Sequence, residues 1–88
     1  MRAGRTYAFS IATKSKDLNA TDDGATACLE FHGPTGDWLG GHYSIGGTRG
    51  TMNWTVFSAE VTIPTAGKTT AGVSQPVTSV SFMAYVRG

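Results

Sequence analysis

The 88-residue sequence predicts an all-β domain, with antiparallel strands arranged as a two-sheet sandwich. Three observations lead there. Apolar residues recur at every second position in several windows, which is the strand period. Twelve glycines, with Thr and Ser throughout, leave almost no run that favours a helix. The same windows set one apolar side against one polar side, so each strand buries a single face and needs a second layer to cover it.

The first strand runs from Thr6 to Lys14, where Tyr7, Phe9 and Ile11 alternate with the small Ala8, Ser10 and Ala12. Lys16 to Gly24 is polar, closes on Thr21-Asp22-Asp23-Gly24, and reads as a loop. Ala25 to His32 and Trp38 to Ile45 form a hairpin. Leu29 and Phe31 point to one side of it, Glu30 and His32 to the other, and Gly33-Pro34-Thr35-Gly36-Asp37 supplies the reversal. A glycine-rich loop follows from Gly46 to Gly50. Trp54 to Ile63 is a long strand with Phe57, Ala59, Val61 and Ile63 on one face; Pro64 ends it, having no N–H for the ladder. Thr65 to Pro76 carries no pattern and reads as loop. In the last strand, Val77 to Arg87, Val80, Phe82, Ala84 and Val86 face one way and Ser81, Met83, Tyr85 and Arg87 the other.

One domain, residues 1–88, is all this length supports, and at this size every strand must contribute to a core that is only marginally stabilising. A net charge of +1 with scattered Lys and Arg gives no basic stripe, so neither nucleic acid nor an anionic membrane is an expected partner. No apolar run is long enough to span a bilayer. The single cysteine, Cys28, forms no internal disulfide and reads as a small buried thiol. Met1-Arg2-Ala3-Gly4 has no hydrophobic stretch behind its arginine and does not read as a secretion signal, which leaves a cytoplasmic chain or one cut from something larger.

Function is best sought between Leu29 and Trp54, a stretch that holds both tryptophans, both histidines, Tyr43 and Arg49. Trp38 follows a Gly-Asp turn, where an indole can stack on the C–H face of a pyranose while its neighbours exchange hydrogen bonds with hydroxyl groups. Glu30 and His32 share one strand face, and Tyr85 and Arg87 share the polar face of the last strand. With His42, Tyr43 and Arg49 they form the candidate binding set: Glu30, His32, Trp38, His42, Tyr43, Arg49, Tyr85 and Arg87. The plainer reading of the strand residues is a solvated sheet face.

Catalysis finds no support. Two carboxylates that hydrolyse a glycoside stand about 5 to 9.5 Å apart across a cleft, whereas Glu30 and Asp37 belong to a strand and the turn after it. His32 and His42 lack a third metal ligand, and no Gly-x-Ser-x-Gly elbow exposes Ser10 or Ser44. Asn19-Ala20-Thr21 and Asn53-Trp54-Thr55 match the glycosylation pattern, which short chains match by chance. The residues call for no metal and no cofactor.

Arg5-Thr6-Tyr7-Ala8-Phe9-Ser10, Leu29-Glu30-Phe31, Gly36-Asp37-Trp38-Leu39-Gly40-Gly41, Tyr43-Ser44, Asn53-Trp54-Thr55, the stop from Val61 to Pro64, and the closing Val80-Ser81-Phe82 to Val86-Arg87-Gly88 follow one another in an order that resembles the β-jelly-roll carbohydrate-binding modules of bacterial polysaccharide-degrading enzymes. The resemblance implies a jelly-roll sandwich and a non-catalytic module that binds polysaccharide or oligosaccharide, working extracellularly as part of a larger secreted enzyme. It also implies that Trp54 packs structurally. Modules of that kind carry strands before the Tyr7 block and after the Arg87 block, so the chain is expected to be their central portion, with the sandwich completed by dimerisation or strand exchange. A structural fragment that self-associates and has no ligand is the alternative.

Overall fold

The computed structural model describes all residues, Met1–Gly88, as an all-β chain of seven strands. β1 (Thr6–Leu18) pairs antiparallel with β4 (Gly50–Thr62) as a two-stranded ribbon. β2 (Gly24–His32) is the centre of a three-stranded antiparallel sheet, flanked by β3 (Trp38–His42) and β7 (Ser79–Arg87). β5 (Ala66–Lys68) and β6 (Ser74–Pro76) form a small hairpin between the two. The sheets are small and unclosed.

Alternation builds the core. The register sets Tyr7 against Val61, Phe9 against Ala59 and Ile11 against Phe57, which gathers the apolar side chains of the ribbon on one face. Ala27, Leu29 and Phe31 of β2, opposite Ala84, Phe82 and Val80 of β7, do the same for the three-stranded sheet. These faces meet in a cluster of Phe9, Ala27, Leu29, Phe31, Leu39, Ile45, Val61, Ile63 and Val77. The Phe9 and Phe82 rings tilt together at 5.2 Å between centroids. Leu29 and Ile63 are wholly buried, and each such side chain stabilises the fold by roughly 1.5–3 kcal/mol. Cover is incomplete over β7, where Phe82 keeps 43% and Val86 62% of its surface in solvent.

Several boundaries differ from those the sequence predicts, each for a local reason. β1 does not stop at Lys14 but runs on to Leu18, through register shifts between Thr13 and Ser15 and between Ser15 and Leu18 that break the two-residue period. Its partner β4 accordingly begins at Gly50 and not at Trp54. β2 takes in Gly24. β3 ends at His42, and the chain from Tyr43 leaves the ladder, its main chain pairing again with β2 where Thr48 meets Ala25. Thr65–Pro76 is not all loop, since Ala66–Lys68 and Ser74–Pro76 pair within it. β7 starts at Ser79, while Val77 drops into the core.

Candidate functional site

The face of the three-stranded sheet opposite the core cluster, its outer face, carries Cys28, Glu30 and His32 from β2, with Tyr85 and Arg87 brought beside Thr26 and Gly24 by the β2–β7 register. Thr26, which donates to the Gly46 carbonyl, and Cys28 are buried on it, and Glu30 and His32 are half-buried. Tyr43 ties this face together. The Tyr43 ring lies back over Gly41, where a Cβ would stand 2.7 Å from the ring and 2.5 Å from the Leu29 carbonyl oxygen. Only glycine leaves room for it. In that position the Tyr43 hydroxyl accepts from the Trp38 indole N–H at 2.7 Å and donates to Glu30 Oε2 at 3.0 Å.

The main chain of the same residue takes up the other half of the site. Tyr43 O accepts from the Tyr85 hydroxyl and, at 3.1 Å, from Arg87 Nη1. Arg87 Nε also meets Asp22 Oδ2 at 2.8 Å, and the Asp22 carbonyl accepts from Arg49 Nη1 at 3.0 Å. A continuous chain of hydrogen bonds thus runs from Trp38 through Glu30, Tyr43, Tyr85 and Arg87 to Asp22 and Arg49. The structure joins six of the eight predicted residues. His32 stands apart from that chain, opposite Trp38 in the register, with Nδ1 3.3 Å from the carbonyl of Gly36 in the turn. His42 lies opposite Leu29 and joins none of these bonds.

Charge on this surface is fixed by its partners. The Arg87 guanidinium holds the Asp22 carboxyl below the usual carboxylate value, and Asp22 in turn raises Arg87. Burial pushes the Tyr43 hydroxyl up; the Trp38 donor opposes this and the neighbouring Glu30 adds to it, so Tyr43 stays protonated and donates. Burial, with Glu30 near by, also raises Cys28 and keeps it a thiol. Asp37 is lowered by hydrogen bonds from Thr35 Oγ1 at 2.8 Å and Gln75 Nε2 at 3.0 Å.

Asp22, Gly41 and Gln75 are the members that sequence reasoning did not single out. Asp22 stands in a run read as loop, but it lies two residues before Gly24, the partner of Arg87. Gln75 belongs to β6, and its bond to Asp37 anchors the turn on which Trp38 is mounted.

This arrangement offers an indole 42% exposed, two guanidinium groups, a carboxylate and phenolic hydroxyls on one side of a sheet. No group of three or more His, Cys, Asp or Glu side chains is gathered to hold a metal. Trp54 departs from the expected packing role. It stands on the outer side of the ribbon, 64% exposed, with Lys14 Nζ 5.2 Å from its ring centre. Comparison with protein-family models, curated proteins and solved structures gave no match.

Proposed function

We infer that the chain is a non-catalytic module that binds polysaccharide or oligosaccharide through the outer face of the β3–β2–β7 sheet, working extracellularly within a larger secreted carbohydrate-active enzyme. The observation that carries this reading is the bond from Trp38 to Tyr43 and on to Glu30, which fixes an exposed indole at the rim of a face rich in donors and acceptors. A sugar ring needs that combination: an apolar surface for its C–H face and directed partners for its hydroxyls. Arg87 and Tyr85 are held toward the same face by Tyr43 O, so the polar groups do not have to be ordered when the ligand arrives.

Each hydroxyl contact replaces a good one to water, so affinity is weak, on the order of 1 μM to 1 mM. Titration with a panel of neutral oligosaccharides, repeated on Trp38→Ala, tests the reading. Saturable binding that the substitution abolishes supports it; binding unchanged in Trp38→Ala places the site elsewhere.

The second reading is an assembly fragment with no ligand, in which a jelly-roll sandwich is completed by another copy of the chain. It is favoured by the uncovered apolar side chains of β7, Phe82 and Val86, on a strand hydrogen-bonded along one edge only.

A further inference from the structure

The ribbon carries a second concentration of unusual features, on a different sheet from Trp38. Where the β1–β4 register shifts on either side of Ser15, the ladder opens, and Asp17 adopts a left-handed φ of 53°. Bulges and residues strained in this way gather where a surface is shaped for use. Thr51 holds the distortion in place: its Oγ1 accepts from the Asp17 N–H at 3.0 Å and donates to Asp17 Oδ1 at 3.3 Å.

The opening is a groove of about 420 Å³ lined by Lys14, Ser15, Lys16, Thr51, Met52 and Asn53. Two ammonium groups border it. The nearby Asp17 carboxylate is already engaged by Thr51. Ser15, one of the lining residues, has its Oγ buried with no hydrogen-bond partner. Next to Asn53 of the lining stands Trp54, 64% exposed, with Lys14 Nζ over one face of its ring.

We propose that this groove, with Trp54, is a second saccharide site, selective for an anionic sugar. The pyranose ring stacks on the part of the Trp54 ring that Lys14 Nζ does not cover, and its carboxylate or sulfate sits between Lys14 and Lys16. The class of ligand rests on the saccharide-binding reading above; the site does not, because it shares no residue with the Trp38 face. A single-stranded nucleic acid would use the same two features, but it needs a basic track along several phosphates, and this groove offers two lysines on a chain of net charge +1.

The test is amide-resolved NMR titration of the full chain with trigalacturonate, a sulfated tetrasaccharide, neutral maltotriose and oligothymidylate. At least one anionic sugar is expected to shift the amides of Lys14, Lys16, Met52 and Trp54. Which one binds tells a carboxylate site from a sulfate site. Affinity is expected to fall about tenfold or more when ionic strength rises from about 0.01 to about 0.15 M, and to fall comparably in Lys14→Gln/Lys16→Gln and in Trp54→Ala. These side chains are exposed, so the variants are expected to keep the wild-type spectrum elsewhere and to bind neutral glycans at the Trp38 face as before. The proposal is overturned if neither anionic sugar shifts these amides, if maltotriose shifts them as strongly, if oligothymidylate binds there more tightly, or if the variants bind as the parent does. Anionic binding lost in Trp38→Ala and kept in Trp54→Ala overturns it too, while leaving the first reading standing.

Discussion

Trp38 and Tyr43 lie five residues apart, and the indole nitrogen of one stands 2.7 Å from the hydroxyl of the other. Two strand residues at that spacing point to opposite faces. They meet because the chain leaves the ladder after His42 and the Tyr43 ring turns back over Gly41. The position of Trp38 therefore depends on Gly41, which has no side chain to offer a ligand, as well as on Tyr43.

Tyr43→Phe isolates the hydroxyl. It leaves the Trp38 N–H without its acceptor and Glu30 without its donor, at a cost of about 0.5–1.5 kcal/mol in a partly exposed setting. The expected outcome is a small fall in the urea midpoint together with weaker oligosaccharide binding, because the indole is no longer fixed. Binding equal to that of the parent chain would show that the bond does not orient the platform.

Gly41→Ala acts on the same ring by sterics. The added methyl meets the Leu29 carbonyl oxygen and the Tyr43 ring together, so ring or backbone must move, with a cost of about 1–3 kcal/mol. Thermal unfolding reads the loss of stability. Tryptophan fluorescence reads the changed surroundings of Trp38, and the added methyl is expected to change both.

Acid weakens the far end of the hydrogen-bond chain. Arg87 holds Asp22 below its unfolded value, so the folded state binds that proton less readily than the unfolded state. The stability it contributes is present above the unfolded pKa of about 3.9 and is lost as pH falls through the depressed folded value. Urea midpoints measured from pH 7 down to about pH 2 are expected to fall less steeply in Asp22→Asn. A residual slope remains in the variant, since Asp37 is lowered in the same direction by Thr35 and Gln75.

Self-association follows from the uncovered face of β7. Each 100 Å² of apolar surface that a second copy covers contributes roughly 2.5 kcal/mol before the costs of association. Light scattering over a dilution series is expected to give a mass above the 9.2 kDa of one chain at high concentration, falling on dilution. Val86→Lys, which places a charge on that face, is expected to stay at the single-chain mass. A parent chain that remains at 9.2 kDa at every concentration removes the assembly reading.

The sequence made the regular parts of the fold legible through their period. Phe9 with Ile11, Leu29 with Phe31, and Val61 with Ile63 are placed on the core side by alternation alone, and the structure has them there. What was not legible lies where the period fails. The shifts about Ser15 hide the second half of β1, and β5 and β6 are three residues each, too short to show a repeat. The exposure of Val86 could not be read either, because alternation assigns a face but not whether anything covers it. Within the site, side-chain type pointed to Trp38, Glu30, Arg87 and Arg49. Joining them depended on Tyr43, whose main-chain carbonyl does as much as its side chain, and on Asp22, which no spacing rule singles out.

The ribbon is in effect a hairpin whose loop is itself a folded sheet, since β1 and β4 enclose β2 and β3 between them. Thr51 meets Asp17 across a separation of 34 residues, and Thr62 meets Thr6 across 56. Closing the longer of these loops costs only about 0.4 kcal/mol more than closing the shorter, so nearly the whole entropic cost falls on the first contact. That contact gains most when β2 and β3 have already shortened the path between its ends. Of the two ends, the bulged one beside Asp17 and Thr51 closes the shorter loop, and the end at Thr6 the longer. The groove lies at the end of the shorter loop, and pairing at this range makes for folding in milliseconds to seconds, slower than local turns allow.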